Sequence, residues 1–141
     1  MNQQNIDPEM KNESLNIEES VEIRLQFEKR GGLLPVVVQE SESGDILMVA
    51  SANREALEHS IKTKEAAFWS TSRNELWIKG LTSGNRIEID EIWVDCDQDA
   101  LVYRVTLQAG GVCHTKDNTG SNRKSCFYRK VDLNRNRLKF I

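Results

Sequence analysis

No stretch of this 141-residue chain approaches the roughly 20 consecutive apolar residues that a membrane helix needs. Its first residues, Met1 to Asn16, lack the apolar core of a secretory signal. That segment is polar and acidic, offers almost nothing to bury, and is expected to be a disordered leader. Basic residues are not in excess: 19 Lys and Arg against 22 Asp and Glu leave a net charge of -3, so there is no electrostatic case for binding nucleic acid. Aromatic residues are few and are not interleaved with a basic patch. Internal repeats are absent. Cysteines number three, so no complete internal disulfide pairing is possible. In the cytoplasm, the compartment these absences imply, such thiols are reduced or bind metal.

What remains is enough for one domain with a real core, expected over residues 17–141. The spacing of Ile17, Val21, Leu25 and Glu28 predicts a short amphipathic helix to Lys29, stopped at Gly31-Gly32. The β-branched run Val36-Val37-Val38 predicts a strand from Pro35 to Glu40. A turn over Ser41 to Asp45 then makes a hairpin with Ile46 to Ala50. Asn53 is a good N-cap for a helix to about Thr63, with Ala56, Leu57 and Ile61 as its apolar stripe. Short strands follow at Ala66 to Ser70 and Glu75 to Ile78. Arg86 to Asp97 reads as a strand whose alternation slips at Asp90-Glu91, the sign of a bulge. Ala100 to Leu107 and Ser125 to Val131 read as further strands, separated by a Gly110-Gly111 turn and a polar loop over Thr115 to Lys124. The fold class is α+β: a mainly antiparallel, barrel-like sheet with one or two short helices, because the connections are too short for crossovers.

The richest chemistry lies in Asp95-Cys96-Asp97-Gln98-Asp99, three carboxylates and a thiol in one short run. If the run is extended, alternation puts Asp95 and Asp97 on one face, with Asp99 joining them, and Cys96 on the other. Carboxylates suit a hard cation such as Mg²⁺, and thiolates suit Zn²⁺. Cys96, Cys113 and Cys126 would make a three-thiolate zinc site with its fourth position open to water or histidine. His114, beside Cys113, is the natural candidate for a general base. The same thiols would serve as small buried apolar residues, and the aspartates as a solvated turn. An EF-hand is excluded by Ala100 at the glycine position and Thr106 at the glutamate position. The zinc-deaminase signature is absent too: there is no His-x-Glu and no Pro-Cys-x-x-Cys.

Several motifs recur in order: Ile46-Leu47-Met48-Val49-Ala50 with Asn53-Arg54-Glu55-Ala56-Leu57; Phe68-Trp69-Ser70-Thr71-Ser72-Arg73 with Leu76-Trp77; Lys79-Gly80 with Thr82-Ser83-Gly84-Asn85; the Asp95–Leu101 run; Cys113-His114-Thr115; and Ser125-Cys126-Phe127-Tyr128. In this order and spacing the chain resembles the phosphoribosyl-AMP cyclohydrolases of histidine biosynthesis, from about Leu34 to Tyr128. The resemblance implies hydrolytic opening of the N1–C6 bond of the adenine ring in N1-(5-phosphoribosyl)-AMP. It assigns Asp95, Asp97 and Asp99 to Mg²⁺, with Mn²⁺ as the other hard cation in question, and Cys96, Cys113 and Cys126 to Zn²⁺. It also implies an intertwined homodimer in which Cys96 of one chain meets Cys113 and Cys126 of the other. Ser72, Arg73, Lys79, Thr82, Ser83, Gly84 and Asn85 match family active-site motifs and are candidates for the substrate phosphates; an ordinary polar loop is the plain alternative for each.

The chain departs from the family pattern in three places. Ser51-Ala52 replace a common aromatic-Met pair, Thr71 replaces a common arginine, and residues 116–122 lengthen the loop before Ser125-Cys126. These departures motivate a second reading, a paralogue acting on another purine-like or cyclic amidine substrate. A third is a non-catalytic zinc-stabilised dimer module. Because the chain ends soon after the last motif, the pyrophosphohydrolase activity that many relatives carry is expected from another protein.

Overall fold

The architecture is that of a computed structural model, which describes residues 16–81 and 84–141. The leader expected over 1–16 lies, but for Asn16, outside the described residues. The core begins with β1 (Leu34–Glu40), where β-branched side chains stiff at χ1 favour extended backbone. Leu34, Val36 and Val38 alternate inward and are completely buried. β2 (Ile46–Ala52) returns antiparallel to it, so the expected hairpin forms.

Asn53 then caps α1 (Arg54–Thr63), its side-chain oxygen accepting from the Ala56 N–H at 2.9 Å. The buried face of α1 is Ala56, Leu57 and Ser60; Ile61 is exposed. Ser60 is tolerated inside because its hydroxyl both donates to the Ala67 carbonyl and accepts from the Ala67 N–H. This bond pair fastens α1 to β3 (Ala67–Ser70), which forms a hairpin with β4 (Glu75–Ile78).

β5 (Ile87–Val94) and β6 (Leu101–Leu107) pair antiparallel, with a register shift between Ile89 and Glu91 where the alternation slips. The sheet order is β2-β1-β6-β5, and β6 runs parallel to β1. This one parallel pair is a crossover that the short connections were expected to exclude; the other strand pairings are antiparallel, so the mainly antiparallel α+β class holds. The whole of α1, β3, β4 and β5 lies between the two strands, which is ample chain for a crossover. The sheet is mixed and open, so no barrel closes among the described residues. Phe68 packs tilted against Tyr103 of β6 and Trp77 of β4, its ring centroid 5.6 and 5.5 Å from theirs.

Two further expectations fail. Residues 17–27 form no helix. Leu25 and Phe27 are buried at strand-like spacing while Val21 is exposed, and Gln98 binds the segment's backbone groups, which a helix would keep for itself. Helical backbone appears only as a single 3₁₀ turn, Glu28–Arg30, ended by Gly31 at φ 71°. The strand expected over Ser125 to Val131 is displaced to β7 (Arg129–Asp132), because the Ser125 hydroxyl and Cys126 N–H bond the β2 carbonyls of Ile46 and Leu47 instead. An unforeseen β8 (Arg137–Phe140) pairs with β7. No helix among the described residues is long and apolar enough to cross a membrane.

Candidate active site

β5 ends at Val94, and the following segment turns rather than extends. The Asp95 carboxylate accepts from the N–H groups of Asp99 (2.9 Å) and Ala100 (3.1 Å), a local closure typical of aspartate. Gln98 takes φ 55° at the bend. The extended geometry behind the two-face division therefore does not hold beyond Val94. The trio converges all the same: ligand oxygens of Asp95, Asp97 and Asp99 lie within 4.8 Å of one another. Turn closure, not strand alternation, brings them together. Cys96 is turned out to solvent, its Sγ 4.0 Å from an Asp97 oxygen.

Two cations from the 3₁₀ turn face the trio. Lys29 Nζ lies 3.0 Å from both Asp97 Oδ2 and Asp99 Oδ2, and Arg30 Nη2 lies 3.1 Å from Asp99 Oδ2. The Lys29 hydrogen bond, outweighing desolvation, holds the Asp99 carboxyl well below the usual carboxylate range. Burial pushes Asp95 up. A compact set of oxygens, one carboxylate strongly ionised, fits a hard divalent cation.

The second cluster is built where residues 112–113 pair with 123–124. Val112 N–H donates to the Lys124 carbonyl and Cys113 N–H to the Arg123 carbonyl, both at 3.1 Å. Gly111 permits this approach, since a Cβ there would lie 2.1 Å from the Arg123 carbonyl oxygen. Cys126 N–H bonds Leu47 O at 2.8 Å, and Lys124 ties the same segment to Glu40 (2.6 Å) and Asp45 (3.0 Å).

These restraints bring Cys113 and Cys126 close enough that each thiol shifts the other's ionisation. Burial pushes the Cys113 thiol up, but hydrogen bonds from Thr115, its hydroxyl 2.9 Å away, turn the balance and leave it below its ordinary value. Burial and the neighbouring Cys113 charge push Cys126 up. Lys79 sits close enough to feel both thiols, and burial holds its ammonium below its ordinary value against their pull. A thiol held below its ordinary pKa, a second thiol beside it and a nearby cation form a soft donor set that fits part of a zinc tetrahedron. Cys96 is not in it: among the described residues, only the aspartate trio brings three ligand atoms within 4.8 Å. His114 follows Cys113 directly and is exposed.

Of the proposed substrate contacts among the described residues, Lys79 is the one seen beside the thiols. Ser72 and Arg73 occupy the exposed β3–β4 turn, where Arg73 Nε bonds Ser70 Oγ (3.4 Å) and Glu75 (3.4 Å). Gly84 N–H closes the next loop onto Gly80 O at 2.8 Å. Gly80 packs so closely on Asn85 that a Cβ would lie 2.1 Å from its carbonyl oxygen. Thr82 and Ser83 lie outside the described residues. Of the departures, Ala52 is fully buried in β2 and Thr71 is exposed. The 116–122 loop closes on itself through the Asp117 carboxylate, which accepts from Thr119 and Ser121. Sequence reasoning missed Thr115, Arg123, Gln98, Lys29 and Arg30. Thr115 alone carried a signal, as a hydroxyl two residues from a candidate ligand.

The model of the phosphoribosyl-AMP cyclohydrolase family matches residues 48–128, a span that takes in both clusters. A phosphoribosyl-AMP cyclohydrolase of Desulfatibacillum aliphaticivorans is 46% identical over 110 residues, covering 78% of this chain and 83% of the relative. One from Chlorobium phaeovibrioides is 45% identical over 120 residues, covering 85% and 82%. An archaeal one, from Nitrosopumilus maritimus, is 46% identical over 107 residues, covering 76% and 93%. Ordered motifs, paired thiols and a convergent carboxylate trio agree with these matches, and the chain belongs to the phosphoribosyl-AMP cyclohydrolase family.

Proposed function

We propose that this chain adds water across the N1–C6 bond of the adenine ring in N1-(5-phosphoribosyl)-AMP, giving the formimino-carboxamide ribotide of histidine biosynthesis. The observation that carries the proposal is the family match over 48–128, a span that contains every proposed metal ligand. In the reaction the water oxygen bonds to C6, N1–C6 breaks, and a proton is delivered to N1. C6 of an N1-substituted adenine is electron-poor and open to such addition.

Cys113 and Cys126, with Cys96 of a second chain, would hold Zn²⁺, which when bound supplies hydroxide at neutral pH by lowering the pKa of its water to about 7. Asp95, Asp97 and Asp99 would hold Mg²⁺, which supplies positive charge toward the substrate phosphates. His114, exposed beside Cys113, moves the proton. Lys79 brings a cation to the thiols' side of the site, and Arg73 with Gly84 and Asn85 supplies donors for phosphate. A homodimer is supported by the absence of Cys96 from the Cys113–Cys126 cluster and by a cleft of about 300 Å³ that exposes Cys96 beside Glu18, Glu22 and Asp95. A cytoplasmic location completes the proposal.

The test is a direct assay of ring opening with purified protein and measured metal content. Cys113→Ser should lose zinc and at least about a hundredfold in rate, and His114→Ala about 10²–10⁴-fold with zinc retained. Full activity in metal-stripped protein would overturn the mechanism.

A further inference from the structure

The carboxylate trio already has a cation on it, supplied by the chain itself. Lys29 Nζ bridges Asp97 Oδ2 and Asp99 Oδ2 at 3.0 Å each. An ion bound by these oxygens would be roughly 2.0–2.6 Å from them, so it would claim the space and the charge that the ammonium now uses.

Lys29 is delivered to this place by a segment anchored on the same loop. Gln98, at the bend between Asp97 and Asp99, accepts from the Arg24 N–H (2.7 Å) through its side chain and donates to the Glu22 carbonyl (3.1 Å). Its own carbonyl accepts from the Gln26 N–H at 2.8 Å. Phe27 is buried just before the turn that carries Lys29. The backbone is thus fixed, while the Lys29 side chain is 52% exposed on a flexible four-carbon stem. It can withdraw without disturbing the anchored segment.

We propose that Lys29 is a resident counter-cation of the carboxylate trio, displaced when a divalent cation binds, and that this competition sets the protein's affinity for the cation. The proposal rests on the assignment of Asp95, Asp97 and Asp99 to a hard cation. While the site is metal-free, Lys29 offsets the mutual repulsion of the carboxylates. When the ion enters, the ammonium is the group that gives way, since Arg30 reaches Asp99 alone.

The experiment titrates Mn²⁺ into zinc-loaded, full-length protein and reads the free ion by electron paramagnetic resonance. Lys29→Met should tighten binding about two- to fivefold, the scale of a half-exposed ion pair, and Lys29→Gln should act in the same direction. Lys29→Arg, which keeps the charge, should bind no tighter than the unmodified chain. In parallel, the rate of Lys29 acetylation by a water-soluble reagent, read by peptide mass spectrometry, should rise severalfold when Mg²⁺ is added. Unchanged or weaker Mn²⁺ binding in both neutral variants, or Lys29 acetylation that does not rise with Mg²⁺, overturns the proposal. If the unmodified chain binds no Mn²⁺, or Asp97→Asn binds it equally well, the assignment of the trio itself falls, and the proposal with it.

Discussion

At Cys113 the bonds from Thr115 lead the interactions that offset burial of the thiol. Burial pushes both thiols up; the Thr115 hydrogen bonds, helped by Cys126 and the Arg123 charge, bring Cys113 below its ordinary value while Cys126 stays above its own. Thr115→Val removes the 2.9 Å hydroxyl contact but keeps the side-chain volume. In metal-free protein, the pH midpoint for alkylation of Cys113 should move upward in this variant and return in Thr115→Ser. Zinc affinity should fall with it, since a ligand that must lose a proton to bind metal then loses it at higher pH. An unchanged alkylation profile would show that the hydroxyl does not govern the thiol.

At the scale of elements, the 111–113 and 123–126 segments work as one clamp. A methyl at Gly111 would meet the Arg123 carbonyl at 2.1 Å, a backbone clash that no rotamer relieves. Gly111→Ala should cost about 1–3 kcal/mol by overpacking, and should weaken zinc retention against a chelator by separating Cys113 from Cys126. Lys124 holds the other side of the clamp. Its hydrogen bonds keep Glu40 below its ordinary 4.5 and Asp45 below 3.8, and they raise Lys124 above 10.5. The depressed carboxylates contribute stability that is complete above their unfolded values and lost as pH falls through the folded ones. The raised lysine contributes stability that is complete below its unfolded value and lost as pH rises through the folded one. Lys124→Met should therefore lower Tm by at most a few °C, most between about pH 5 and 10, with the difference fading toward either extreme in a pH series of thermal melts.

The same elements mark where local sequence was informative. Val36-Val37-Val38, the Asn53 cap and the slip at Asp90-Glu91 are written in neighbouring residues, and β1, α1 and the β5 bulge follow them. The parallel β1–β6 pairing joins residues about sixty positions apart, and no local pattern encodes it. The segment 17–27 loses its helical spacing to Gln98, a partner more than seventy positions away. The thiol pair was legible as residue types, and its geometry depends on long-range bonds to Leu47. Lys29 and Arg30 read as the end of a helix and became part of the carboxylate site through the fold alone.

Taken whole, the molecule leaves Val21, Ile23, Trp93 and Val94 substantially exposed on the segments flanking Cys96, the kind of apolar surface that marks an interface. The proposal that two chains share each zinc site makes a quantitative demand on a dimer. Cys96→Ser and Cys113→Ser chains should each be inactive alone, because every site in either homodimer lacks one thiolate. Mixed after dissociation in equal amounts, they redistribute so that half the dimers carry one chain of each kind. In such a dimer one site combines both lesions, and the other takes Cys96 from the Cys113→Ser chain and Cys113 with Cys126 from the Cys96→Ser chain. That second site is intact. A quarter of all sites are then whole, and activity and bound zinc should both recover to about a quarter of the unmodified level. If each chain built its own site, every site in every dimer would carry a lesion, and mixing would restore nothing. Light scattering on the same samples confirms that the species compared are dimers, so a null result counts against shared ligands rather than against assembly.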